Sequence, residues 1–139
     1  MQLSFRIKKT KDIVFDYLTD MQKFASVHPV ITKIVQTNTN NYLVYETLKL
    51  GFLSFSFTYP ISVESNSIEN QVIMRAVVMK FTKIEITIRI KPDTEFPDEF
   101  TIIEEDITFK SLLPIKPIAG NIFKKIHTQL FKNIEEISL

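Results

Sequence analysis

Hydrophobic and polar residues alternate along most of the chain, and the spacing changes near the carboxyl terminus. Every second residue is apolar in residues 53–64 and again in residues 83–91. A period of two is typical of strands that bury one face. From Pro117 onward the apolar residues recur every three or four positions, which predicts a helix of about twenty residues with one buried face. Such a helix, roughly 30 Å long, needs a broad apolar surface to lie on.

The same patterns predict the other elements. Strands are expected at residues 3–7, 31–37, 42–50, 53–64, 68–79, 83–91 and 100–109. Two short helices, at residues 10–19 and 21–26, separate the first strand from the second. Because short turns join consecutive strands, antiparallel pairing is favoured. The sequence therefore predicts an α+β fold in which a twisted, seven-stranded antiparallel sheet wraps around the long C-terminal helix.

Composition narrows the classes of protein to consider. The 139 residues are expected to form a single domain, 1–139, and the net charge of +1 argues against nucleic acid as a partner. The chain has no cysteine and only two histidines, so no metal and no other cofactor is expected. No apolar run approaches the roughly 18 residues of a membrane span. We therefore expect no transmembrane segment, and a cytoplasmic location.

The order of elements, together with the stretch from Leu18-Thr19-Asp20 to Phe24 followed by His28-Pro29, resembles the START-like superfamily, also called SRPBCC. Within it, the chain is similar to the polyketide cyclase/dehydrase and lipid-transport group. The resemblance implies a helix gripped by a sheet, with an apolar cavity between them. Members bind lipids, sterols, polyketides, quinones or hormones, and some act as cyclases, aromatases, hydrolases or cochaperones.

One position departs from the pattern of that superfamily. Many relatives carry an aromatic residue just before the His-Pro pair, whereas here Ser26 and Val27 precede it. No functional role is therefore assigned to His28 from the resemblance.

Twelve residues on the predicted inner faces are candidates for a ligand-binding pocket. They are Phe55, Phe57, Tyr59, Arg75, Val77, Ile86, Ile88, Ile103, Glu105, Phe123, Ile126 and His127. The aromatic side chains among them suit a ligand pocket, but they would equally fill a solid core. Tyr59 is of special interest because a buried phenol needs a hydrogen-bond partner, which a ligand could supply.

Three of the candidates carry charge or titrate. Glu105 stands in line with an apolar strand face, so it either is a buried carboxylate with a partner or faces water in an acidic stretch. Arg75 is its natural partner on the same reasoning, or else an outward-facing arginine. His127 follows Ile126 at the edge of the helix stripe, which suggests a place at the cavity mouth. There it would serve in acid–base chemistry or have a structural role.

Three functions remain open at this level. The first is the binding or carriage of a hydrophobic small molecule, which is lipid, polyketide or quinone-like, between the sheet and the C-terminal helix. The second is a cyclase or dehydratase that acts on an apolar substrate through Glu105, His127 or Tyr59. The third is a protein-interaction module, for which a filled core and a large exposed apolar patch would be the sign.

Overall fold

The computed structural model describes residues 1–138, so Leu139, the last residue of the expected domain, lies outside the described residues. The elements are β1 (Gln2–Ile7), α1 (Lys11–Thr19), α2 (Met21–Val27), β2 (Ile31–Asn38), β3 (Asn41–Leu50), β4 (Leu53–Asn66), β5 (Gln71–Val78), β6 (Thr82–Pro92), β7 (Thr101–Ser111) and α3 (Lys116–Glu135). Their types and order confirm the predicted α+β fold. Among the helices of this described part, none is both long and apolar enough to cross a membrane.

The seven strands form one antiparallel sheet in the order β1-β7-β6-β5-β4-β3-β2. Every strand after β2 pairs with the strand that precedes it in sequence, so the short turns set most of the topology. Helices α1 and α2 carry the chain from β1, at one edge, to β2, at the other edge. Helix α3 lies on the inner face of the sheet, as a helix-grip fold requires.

Strict alternation correctly predicted the inner face of β6 and, from Phe57 onward, that of β4. In β6, Ile86, Ile88 and Ile90 are buried, while Lys83 and Glu85 are exposed. The solid part of the core lies where β5, β6 and β7 meet the second half of α3. The side chains of Val72, Ile88, Ile103, Leu130, Phe131 and Ile134 are fully buried there. Burial of each large aliphatic side chain contributes roughly 1.5–3 kcal/mol to folding.

Strand β5 differs from the prediction at its start and in its register. The strand begins at Gln71 rather than Ile68 because the side chain of Asn66 accepts the N–H groups of Ile68 and Glu69, which closes a turn. Asn70 completes that turn with a left-handed φ of 52°.

The register of β5 buries Val72 and Met74, so Arg75 and Val77 point outward. Val77 had been expected on the inner face, whereas for Arg75 the outward-facing alternative is the correct one. The alternation in this strand was weak because apolar residues occupy both faces. The cross-strand partners Val63 and Ile86, which lie on either side of Met74, decide which set is buried.

The β3–β4 hairpin extends beyond the rest of the sheet. Strand β5 ends at Val78, which lies at the level of Tyr59, whereas β4 continues back to Leu53. At about 3.3 Å per residue, the hairpin tip stands roughly 20 Å beyond the end of β5. Gly51 makes the tight turn with a φ of 63°, which a glycine adopts without strain.

Candidate ligand-binding site

A cavity of about 360 Å³ lies between α3 and the inner face of the sheet. Twenty-five residues line it, and all but a few are aliphatic or aromatic. The sheet contributes side chains from β2 to β7, α2 contributes Phe24, and α3 contributes its first three turns. The cavity opens beside Phe81 and Leu113, which both line it and are exposed.

The structure brings six of the predicted pocket residues to this cavity. They are Phe57, Tyr59, Ile86, Phe123, Ile126 and His127. The other six lie elsewhere. Phe55 is on the projecting hairpin and is 45% exposed, and Arg75 and Val77 are on the outer face. Ile88 and Ile103 belong to the solid core, and Glu105 lies behind His127.

Arg75 is not the partner of Glu105. Its guanidinium pairs with Glu85 at 3.0 Å and with Glu64 at 3.2 Å, on the two neighbouring strands. All three side chains are exposed on the outer face of the sheet. Because the three side chains lie on the outer face, they have no part in the cavity. Exposed ion pairs of this kind also contribute little to stability.

Glu105 is buried, and its partner is His127. The carboxylate is 1% exposed, the imidazole is 5% exposed, and Nδ1 of His127 lies 2.9 Å from Oε1 and 2.8 Å from Oε2. The alternative in which Glu105 faces water is therefore wrong. His127 is also deeper than the cavity mouth, where the helix pattern had placed it.

The environment of His127 fixes its orientation. Its ring stacks on Phe123 with 3.9 Å between centroids and contacts Phe131 edge-on. Both hydrogen bonds of the ring use Nδ1, so within residues 1–138 no protein group bonds to Nε2. Because His127 lines the cavity and Nε2 is not a buried unpaired atom, this nitrogen is accessible to a ligand.

A second polar pair faces the cavity from neighbouring strands. The hydroxyl of Tyr59 donates to Oε2 of Glu46 at 2.6 Å. Burial raises the pKa of Glu46, although the hydrogen bond from Tyr59 and the nearby His127 oppose the rise. Burial and the Glu46 carboxylate raise the pKa of Tyr59 well above its usual range.

His28 adds a fifth polar side chain to this group, although sequence reasoning had assigned it no role. Burial lowers its pKa to about 3, and the nearby His127 adds to the effect. Its Nδ1 accepts the N–H groups of Val30 at 3.3 Å and Ile31 at 3.2 Å. The neutral ring therefore carries its proton on Nε2, which makes His28 a donor of fixed tautomer.

These side chains form one polar cluster, which we define as His28, Glu46, Tyr59, Glu105 and His127. The rings of His28 and His127 are 6.3 Å apart, and Glu46 lies opposite Ile31 in the β2–β3 register, three residues from His28. Glu46 had been overlooked, but its signal was present in the sequence. It continues the apolar alternation of Tyr42, Val44 and Leu48, as Glu105 does in its own strand.

The polar side chains of the described residues do not form a metal site. Within residues 1–138, no three histidine, aspartate or glutamate side chains come together in a way that would hold a metal ion. The polar cluster supplies hydrogen-bond donors and acceptors to an otherwise apolar cavity.

Comparison with known proteins identifies the family. The model of the CoxG family, which is named for a subunit of carbon monoxide dehydrogenase, matches residues 4–101. The chain belongs to the CoxG family. The matched part of this CoxG-family chain includes His28, Glu46 and Tyr59, whereas Glu105, His127 and all of α3 lie beyond it. A search of curated proteins finds no match.

Solved structures show the same fold at low sequence identity. A conserved protein from Geobacillus kaustophilus has a TM-score of 0.78 at 13% identity, over 97% of this chain and 91% of that chain. A START superfamily protein from Mycobacterium smegmatis has a TM-score of 0.69 at 17% identity, over 99% and 98%. An aromatase/cyclase from Streptomyces sp. R1128 has a TM-score of 0.64 at 9% identity, over 96% and 89%. These likenesses confirm the START-like fold.

Proposed function

We propose that this CoxG-family protein binds a largely apolar small molecule, of the lipid, polyketide or quinone-like classes, between the sheet and α3. The observation that carries the proposal is an apolar cavity whose polar side chains, apart from Thr82, belong to the polar cluster. The apolar body of the ligand would fill the cavity, and an oxygen-bearing end would meet the polar cluster. The volume of about 360 Å³ falls within the usual range of roughly 300–1,000 Å³ for small-molecule sites.

The energy of an unfilled cavity supports this proposal. Interiors are normally close-packed, and a void costs about 24 cal/mol per Å³ in cores emptied by mutation. This cavity is open at its mouth, and water inside it would meet a mostly apolar lining. A bound apolar ligand would replace that water and restore close packing.

The polar cluster favours a ligand with a hydrogen-bonding end that carries no net charge. Among residues 1–138, no lysine or arginine lines the cavity, so an anionic end would lack a permanent cation to pair with. In contrast, Nε2–H of His28 offers a donor, and Glu46 and Nε2 of His127 offer further positions for hydrogen bonds. A carbonyl or hydroxyl oxygen matches these groups.

Binding can be tested with a matched pair of variants on adjacent residues. Ala76 lines the cavity, so Ala76→Phe should fill it, whereas Val77→Phe adds a phenyl ring to the outer face. Native mass spectrometry and titration with fatty acids, sterols and quinones should show saturable binding to the wild type and to Val77→Phe only. The absence of any retained mass or saturable binding, or equal binding by both variants, would refute the proposal.

The Glu105–His127 pair favours a second candidate function, acid–base catalysis of the cyclase or dehydratase type. A buried carboxylate that holds one imidazole nitrogen leaves the other nitrogen oriented for proton transfer. Under this alternative, a bound substrate would be converted to product, and His127→Gln would stop conversion while ligand still binds. Mass spectrometry of the ligand recovered after incubation distinguishes a carrier, which returns it unchanged, from an enzyme.

A further inference from the structure

The polar cluster holds more hydrogen-bond acceptors than donors. Its two carboxylates only accept, and each hydrogen bond within the cluster already uses a donor. The hydroxyl of Tyr59 donates to Oε2 of Glu46 at 2.6 Å, and Nδ1 of His127 is taken up by the carboxylate of Glu105. A ligand in the cavity therefore meets the groups that these internal bonds leave free.

One carboxylate oxygen of Glu46 is left free in this way. Among the described residues, no protein group donates to Oε1 of Glu46, and this atom is not a buried unpaired one, so it is accessible. Glu46 is partly buried and lines the cavity, in line with Val44 and Leu48 on the inner face of β3. An acceptor in such a place needs a donor, because an unpaired polar group in apolar surroundings costs free energy.

A free donor lies close to this acceptor, on the ring of His28. The N–H groups of Val30 and Ile31 occupy Nδ1 of His28, so Nε2 carries the proton. The turn that carries His28 is joined to β3, since the N–H of Thr47 donates to the carbonyl of Val30 at 2.9 Å. Ile31 also lies opposite Glu46 in the β2–β3 register. The donor of His28 and the acceptor of Glu46 therefore come together in the lining of one cavity.

A hydroxyl group matches this donor and this acceptor at the same time. Its oxygen can accept from Nε2–H of His28 while its hydrogen is donated to Oε1 of Glu46. A ketone or an ether only accepts, so it would leave Oε1 without a partner. An ammonium group only donates, and a carboxylate has the same charge as Glu46.

We infer that the ligand of this cavity is an apolar alcohol or phenol whose hydroxyl group binds between His28 and Glu46. The inference rests on the proposed function and narrows it, because it excludes molecules whose only polar atoms are carbonyl or ether oxygens. The apolar body of the ligand would extend from the polar cluster toward the cavity mouth. Thr82, which lines the cavity outside the cluster, already shares a hydrogen bond with Ser111 at 2.9 Å, so it is a poorer site for the hydroxyl.

A pair of isomers tests the inference on the wild type. Para-heptylphenol and para-hexylanisole have the same formula and nearly the same volume, but only the phenol can donate a hydrogen bond. Isothermal titration calorimetry should show that the phenol binds at least about tenfold more tightly. Sites built around a hydroxyl group discriminate strongly against analogues that lack it, because a polar group of the protein is then left unpaired.

Glu46→Gln tests whether Glu46 is the origin of this preference. The amide oxygen can accept from Tyr59, and the NH₂ group can then donate into the cavity, where an ether oxygen is a suitable acceptor. The preference for the phenol should therefore disappear. Glu64→Gln is the matched control, because the same change on the outer face of the sheet, where Glu64 is exposed beside Arg75, should leave the preference as it is.

A second measurement needs no variant. A hydrogen bond to the charged form of a carboxyl group lowers its pKa. In carbon NMR titrations of the wild type, bound para-heptylphenol should lower the pKa of Glu46, whereas bound para-hexylanisole should not.

Three results would overturn the inference while the proposed function stands. They are equal affinities of the wild type for the two isomers, a preference for the phenol that persists in Glu46→Gln, and a pKa of Glu46 that bound phenol leaves unchanged. In each case the saturable binding itself would still support a ligand cavity. If neither isomer binds, the inference fails together with the proposed function.

Discussion

The buried Glu105–His127 pair gives the most specific test of the structure, through the change Glu105→Leu. The pair joins β7 to α3, and both side chains are almost completely buried. Removal of the carboxylate leaves Nδ1 of His127 without an acceptor. Loss of one partner of a buried pair costs about 3–5 kcal/mol of unfolding free energy. That is a large share of the roughly 5–15 kcal/mol available to a protein of this kind.

The double variant Glu105→Leu/His127→Phe tests the reason for that loss. With both polar groups replaced, no buried donor or acceptor is left unpaired, and the new phenyl ring can keep the stack on Phe123. The double variant should therefore be more stable than Glu105→Leu, with a coupling energy of about 2–3 kcal/mol between the two positions.

Urea unfolding followed by circular dichroism on the wild type, both single variants and the double variant gives the four free energies that this cycle needs. A loss for Glu105→Leu of less than about 1 kcal/mol would contradict the buried pair, because surface changes have effects of that size. Additive single effects, within about 0.5 kcal/mol, would show that the two residues do not interact.

Three further predictions concern the core and the polar cluster. Leu130→Ala should cost about 2–5 kcal/mol in urea unfolding, and Ile126→Ala less, because Leu130 is fully buried while Ile126 lines the cavity and is only half-buried. The pKa of His28 is lowered to about 3 in the folded protein, so between about pH 6.5 and pH 3 the unfolded chain binds a proton that the folded protein does not. Stability should therefore fall as the pH falls through this range. In thermal melts across pH, His28→Gln should reduce this dependence by up to about one proton. Tyr59→Phe should raise the pKa of Glu46 further, because it removes the hydrogen bond that lowers it, and carbon NMR of the carboxyl group would detect the shift.

The sequence was sufficient to predict the order of the elements. It was also sufficient to predict which residues face inward in every strand that buries only one side. In β6 the polar positions, such as Lys83 and Glu85, could not be buried without large cost, so the alternation left one solution. In β5 both sets of residues were apolar apart from Gln71 and Arg75. The side chains of Glu64 and Glu85, on the neighbouring strands, hold that arginine outward, and this pairing depends on a register that one strand alone does not reveal.

The errors at Phe55 and His127 have a different origin, since both depend on the lengths of other elements. Phe55 continues a perfect alternation, but β5 ends before reaching its level, so Phe55 lies on the projecting hairpin and is partly exposed. His127 lies at the edge of the apolar stripe of α3, which suggested the mouth. However, the mouth is at the start of α3, and His127 is eleven residues farther along, roughly 16 Å deeper at 1.5 Å per residue.

Whether the inner face would enclose a cavity or a solid core depended on side-chain size along α3. The second half of the helix brings Leu130, Phe131 and Ile134 against the sheet, and these large side chains leave no space. Around the cavity, α3 presents Ala119 and β5 presents Ala76. These small side chains leave space that larger ones would fill. Each alanine is ordinary in the sequence, and only the fold shows that both line the same cavity. For that reason, Ala76→Phe is expected to abolish ligand binding without emptying any part of the core.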